Sequence, residues 1–146
     1  MMCDLRGIAS RLHHALERVY EMDGILLEIR VHERTIGARL AMYLQEEFPS
    51  WDVDCEYNRD RRKPKVVLDR LAYPDVIVHR RDTSANLLAV ELKGHWNMDD
   101  RNPDYRKLLN LTGPDSGYTL GAHVELEYET YRLTWYAGGE EIEEPH

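Results

Sequence analysis

Asp75 opens the apolar run Val76-Ile77-Val78, and Glu91 and Lys93 interrupt a second run, Leu87-Leu88-Ala89-Val90-Glu91-Leu92-Lys93, at alternate positions. Between the runs lies the polar segment Asp82-Thr83-Ser84-Ala85-Asn86. An antiparallel hairpin centred on Thr83 sets Asp75 nearly opposite Glu91. Side chains alternate along a strand, so Glu91 and Lys93 share a face about 7 Å apart. Unpaired charge in a strand core is costly, which asks for a reason beyond folding. Two carboxylates and an ammonium on one patch can hold a divalent cation beside a positive group, the chemistry of metal-assisted hydrolysis.

These residues need elements to position them. Leu5, Ile8, Ala9, Leu12, Leu16, Val19 and Tyr20 recur at helical spacing behind Asp4, an N-cap residue. Asp23-Gly24 ends that helix. A second helix is expected over about residues 26–48, closed by Pro49, with Leu26, Ile29, Glu33, Ile36, Gly37, Leu40 and Leu44 on its buried stripe. Glu33 stands where that pattern asks for an apolar residue, and Gly37 lets the helix approach the sheet closely. Trp51, Val53, Cys55 and Tyr57 alternate as a first strand, with Cys55 expected in the core. The hairpin follows. Asn102-Pro103 starts a short helix through Leu111, ended by Gly113-Pro114. Residues 118–128 and 131–136 read as two more strands, and the acidic tail 138–146 as frayed. The expected order is α-α-β-β-β-α-β-β, an α/β domain spanning residues 1–146.

The chain has 146 residues, 42% hydrophobic and 32% charged, which is enough to bury a core without disulfides. No run approaches the ~20 apolar residues of a membrane span. Neither a signal-peptide core nor a cysteine framework is visible, so free thiols and a cytoplasmic location are expected. The net charge of −8 argues against a general polyanion binder. Its distribution is uneven, because Arg59, Arg61, Arg62, Lys63, Lys65 and Arg70 gather just ahead of Asp75. Arginine grips phosphate bidentately, which makes Arg59, Arg61, Arg62 and Lys65, with Lys107 on the short helix, candidate substrate contacts.

Pro74-Asp75 and Glu91-Leu92-Lys93, with Glu33 upstream, resemble the PD-(D/E)XK nuclease superfamily, whose fold is restriction-endonuclease-like. The strings Val31-His32-Glu33-Arg34-Thr35-Ile36, Val53-Asp54-Cys55-Glu56-Tyr57-Asn58-Arg59 and Tyr73-Pro74-Asp75-Val76-Ile77-Val78-His79-Arg80-Arg81 look like small stand-alone bacterial members. The resemblance covers about residues 29–127 and implies a mixed β-sheet flanked by helices. Of the four lysines, Lys93 alone follows an acid by two residues. The resemblance implies that Asp75, Glu91 and the Leu92 backbone carbonyl bind Mg2+, with Mn2+ as a substitute. It also implies that Lys93 orients the attacking water or stabilises the pentavalent oxygens. Glu33 would hold a metal water, or a second metal about 3.5–4 Å away. The implied function is Mg2+-dependent hydrolysis of phosphodiester bonds in nucleic acid, DNA ahead of RNA. A homodimer or a recruiting protein partner is compatible with it, and no membrane is involved.

Other readings remain open. Glu91 and Lys93 could form an exposed ion pair worth under about 1 kcal/mol. Glu33 could pair with Arg30 or Arg34, and Asp75 could serve only as a turn residue. His79 and His95 could sit behind the site or be ordinary histidines, and Trp96 could stack on a base or fill the rim. A catalytically silent nuclease-like module that binds nucleic acid or regulates a partner is the alternative from another class.

Overall fold

The computed structural model describes residues 4–55 and 74–146, and backbone pairing at four dipeptides between them. The element order is α1 (Leu5–Met22), α2 (Gly24–Glu28), α3 (Glu33–Glu47), β1 (Asp52–Cys55), the dipeptides β2 (Arg59–Asp60), β3 (Lys63–Pro64), β4 (Val66–Val67) and β5 (Arg70–Leu71), then β6 (Val76–His79), β7 (Asn86–Gly94), α4 (Asn102–Leu111), β8 (Leu120–Leu126), β9 (Tyr131–Ala137) and β10 (Glu140–Ile142). β2 pairs with β3 and β4 with β5. The side chains of Arg59, Arg61, Arg62 and Lys65, and the position of Tyr57, lie outside the described residues.

Six strands form one mixed sheet in the order β1-β6-β7-β8-β9-β10. Neighbours are antiparallel except β7 and β8, which run parallel and are joined through α4. Helices cover both faces. Val76, Val78, Leu88, Val90, Leu92, Ala122 and Val124 pack with the apolar stripes of α1 and α3. The alternate residues Ile77 and Ala89 meet Leu108 and Leu111 of α4 on the other face. The central strands are covered on both sides, so β6 and β7 read as continuous apolar runs.

Asp4 caps α1 as expected, its carboxylate accepting the Gly7 amide at 2.7 Å. Asp23 closes it with its backbone N–H on the Val19 carbonyl, and the Asp23 carboxylate accepts the Tyr43 hydroxyl at 2.7 Å and Arg39 Nε at 3.2 Å, tying the helix junction to α3. The single helix expected over residues 26–48 is two helices. Arg30 takes a left-handed φ of 56°, and His32 caps a new helix by accepting the Arg34 amide. Ile29, assigned to the buried stripe, is 62% exposed. Glu33 therefore begins α3 in its first turn, where a carboxylate suits the positive end of the helix dipole. Gly37 behaves as expected, lying beside Leu92 and Val76 where α3 meets the sheet.

Two further expectations are corrected. Cys55 is exposed at the end of edge strand β1 rather than buried. The tail forms a sixth strand: Gly138 and Gly139, at φ 62° and 77°, make the two-residue turn that returns β10 onto β9. Glu144, beyond it, receives hydrogen bonds from His13 and Trp135. Among the described residues no helix is long and apolar enough to cross a membrane.

Candidate active site

Val76 faces Val90 across the β6–β7 ladder, so one step earlier Asp75 faces Glu91. The two carboxyl groups lie close enough for the charge of Asp75 to raise the proton affinity of Glu91. Asp75 Oδ2 accepts the Leu92 amide at 2.7 Å. The N–H and C=O of one strand residue leave on the same edge, which sets the Leu92 carbonyl toward Asp75 as well. Glu91 and Lys93 lie two residues apart on the face that α4 covers, and α4 meets both of them. Lys107 Nζ is 3.0 Å from Glu91 Oε1, and Lys93 Nζ is 3.3 Å from Asp104 Oδ2. Asp104 Oδ2 also lies 3.3 Å from Nε2 of His123, the residue beside Glu91 in the parallel β7–β8 register.

The cluster thus holds three carboxyl groups against two ammoniums and an imidazole, with Glu91 only 3% and His123 only 2% exposed. Burial pushes the Glu91 carboxyl well above the usual range and the facing Asp75 adds to it, while Lys107 pulls the other way. Burial likewise raises Asp75, offset in part by the Leu92 amide and Lys107. Asp104 moves in the opposite direction. Burial would raise it, but the hydrogen bond from His123 and the charge of Lys93 outweigh that and hold it below the usual range.

Sequence reasoning brought together Asp75, Glu91 and Lys93 on one face, and the structure does the same. Lys107, taken as a substrate contact, instead turns inward onto Glu91. Glu33 accepts a hydrogen bond from Asn97 in the turn after β7, at 3.1 Å, and α3 packs on the face of the sheet opposite α4. His79 is not behind the site, because its Nε2 pairs with Asp54 Oδ2 at 2.7 Å beside Arg81. His95 is exposed, and Trp96 is half-buried with its ring over Gly94. Asp104 and His123 were not foreseen. His123 alternates with Ala122 and Val124 and so reads as a solvent-side residue until α4 is seen to cover that face. Asp104 precedes Lys107 by three residues, a spacing that puts both on one helical face.

The donor set suits a hard cation. Asp75, Glu91 and the Leu92 carbonyl supply only oxygen, the ligand type that hard cations take. Among the described residues no group of three or more His, Cys, Asp or Glu is arranged to hold a metal ion. Such a partial set fits Mg2+, which keeps several waters and takes one or two carboxylates. Arg101 braces the surroundings, with Nε and Nη2 on the two oxygens of Glu125 at 3.2 and 2.6 Å and a further bond to the Gly94 carbonyl. Comparison with family models, curated proteins and solved structures finds no match to this chain, so the chemistry of the site rests on its own geometry.

Proposed function

We propose that this protein is a Mg2+-dependent nuclease of the restriction-endonuclease-like type, hydrolysing phosphodiester bonds in DNA ahead of RNA. The observation that carries the reading is Asp75 facing Glu91 across the β6–β7 ladder, with Lys93 on the same face of the sheet under α4. The element order supports it too: α3, three antiparallel strands β1, β6 and β7, the crossover helix α4, and parallel β8.

Asp75 and Glu91 would hold Mg2+ together with the Leu92 carbonyl. When bound, the ion lowers the pKa of water and neutralises charge developing on the phosphate. Lys93 presents its ammonium to the attacking water or the phosphoryl oxygens, in a half-buried setting where one charge contact counts for more than in water. The Leu92 amide fixes Asp75, leaving its second oxygen for the cation. Glu33, expected from the sequence as an accessory acid, is left out of the site, because it is held by Asn97 on a helix that packs on the other face of the sheet.

The test is incubation with plasmid, short duplex, single-stranded DNA and RNA, in Mg2+, Mn2+ or EDTA, beside Asp75→Ala and Lys93→Ala. Cleavage that needs the metal and vanishes in both variants is expected. Cleavage unchanged in both variants would assign the activity elsewhere. One observation favours a silent binding module instead: Lys107 already offsets Glu91, as a fold without metal would require. That reading expects no cleavage of any substrate.

A further inference from the structure

The geometry points to Asp104 as the residue that positions Lys93, with His123 fixing Asp104 in turn. The assignment rests on Lys93 acting in the proposed hydrolysis. A lysine stem has four rotatable bonds and a strongly hydrated head, so an unsupported ammonium samples many positions. Chemistry at a phosphate needs it held to within a fraction of an ångström.

Asp104 supplies that constraint from a separate element. It sits in the first turn of α4, 9% exposed, and its Oδ2 lies 3.3 Å from Lys93 Nζ and 3.3 Å from His123 Nε2. To donate, His123 must carry its proton on Nε2. Its ring is itself confined, with the Tyr105 ring edge-on at a centroid separation of 4.9 Å, and Tyr105 in turn stacks near Tyr136. The order of support is therefore Tyr105 to His123 to Asp104 to Lys93, each step more buried than a surface ion pair requires. Such a buried polar chain is a poor device for stability, because apolar side chains of similar volume usually do as well or better. Its location, next to Glu91 and under the same helix that carries Lys107, is what a positioning device needs.

The experiment uses the full chain carrying Asp104→Asn, which keeps the shape and removes the charge. The first readout needs no activity: brief acylation with an amine-reactive ester, with Lys93 labelling measured by mass spectrometry against Lys63 and Lys65. Release of Lys93 should raise its labelling several-fold. The second readout is Mg2+-dependent plasmid cleavage. There kcat should fall about 10- to 100-fold with KM unchanged, the scale of one hydrogen bond to a charged group. Adding Lys93→Met to Asp104→Asn should cost nothing beyond Lys93→Met alone.

Unchanged labelling of Lys93 overturns the assignment. So does an additive loss in the double variant, since a merely structural Asp104 would act independently of Lys93. Should Asp104→Asn fail to fold, His123→Gln misplaces the donor to Asp104 and should raise Lys93 labelling by a smaller factor, and no rise there is equally fatal. If the wild-type chain cleaves no substrate, the hydrolysis reading fails on its own, while labelling still decides whether Asp104 holds Lys93.

Discussion

Glu91 is pulled in two directions at once. Burial and the facing Asp75 favour its protonated form, and Lys107 favours the carboxylate. The folded-state pKa lies above the ordinary glutamate value of 4.5, so the stabilising contribution is complete below that value and is lost as pH rises through the raised one. In EDTA the melting temperature of the wild type should therefore rise as pH falls from about 8 toward about 5. Glu91→Gln should remove most of that slope and stabilise the metal-free protein near neutrality by on the order of 1 kcal/mol or more. A flat wild-type profile, or a Gln variant melting no higher than wild type, would show that Glu91 is not strained. Asp104 and Glu125 work with the opposite sign. Their lowered values give stability that is present above the usual carboxylate range and lost only in stronger acid. On the catalytic side, Lys93→Ala should lower turnover roughly 10²–10³-fold with metal binding largely intact, the scale of one transition-state charge contact. Asp75→Ala should lose both metal affinity and turnover, while metal-free DNA binding holds or rises because a negative charge has gone. Metal titration by calorimetry beside single-turnover cleavage separates the two patterns.

The end of β7 is the element on which these residues depend, and Gly94 shapes it. A Cβ there would lie 2.4 Å from the Trp96 ring, which cannot move aside as a flexible chain end would. Gly94→Ala should cost about 1–3 kcal/mol in denaturant unfolding, the range for overpacking, and shift the Trp96 fluorescence. The turn holding Asn97, and through it Glu33, would move with the ring. Loss of stability without a spectral change would place the strain elsewhere. Elements with an unbroken period were legible in the sequence: α1 from its apolar spacing and Asp4, the hairpin from two runs about a polar turn, and α4 from Asn102-Pro103. The break before α3 was not, because no Gly or Pro marks it. Arg30 adopts a left-handed φ that arginine rarely takes, and only the packed helices on either side require it. Glu33 was consequently read as a mid-helix residue when it opens α3. The last strand carried a signal in Gly138-Gly139, outweighed by the acidic composition around it. Asp104 and His123 stand 19 residues apart and meet only because a crossover helix folds back over β8, which no local pattern encodes.

A chain with a net charge of −8 repels a polyanion on average, so nucleic acid can be held only where the charge is locally reversed. The cluster itself cannot supply that reversal, since Lys93 and Lys107 are already engaged with Asp104 and Glu91. The remaining concentration of bases is the segment of residues 59–70, with Arg59, Arg61, Arg62, Lys63, Lys65 and Arg70 immediately before Asp75 in sequence. If three of these reach phosphates, neutralising Arg61, Arg62 and Lys65 together should lower the slope of log K against log salt by roughly 3, at about 0.9 per contact on duplex DNA. Affinity should fall to a similar extent on unrelated sequences, because phosphate contacts carry no base information. Thermal stabilisation by Mg2+ should be untouched, since Asp75 and Glu91 are intact. Fluorescence anisotropy across a salt series, run in EDTA so that no cleavage intervenes, measures the slope directly. A triple variant with an unaltered slope would remove this segment from the binding surface. A triple variant that also loses its Mg2+ stabilisation would mean that the segment supports the site rather than the substrate.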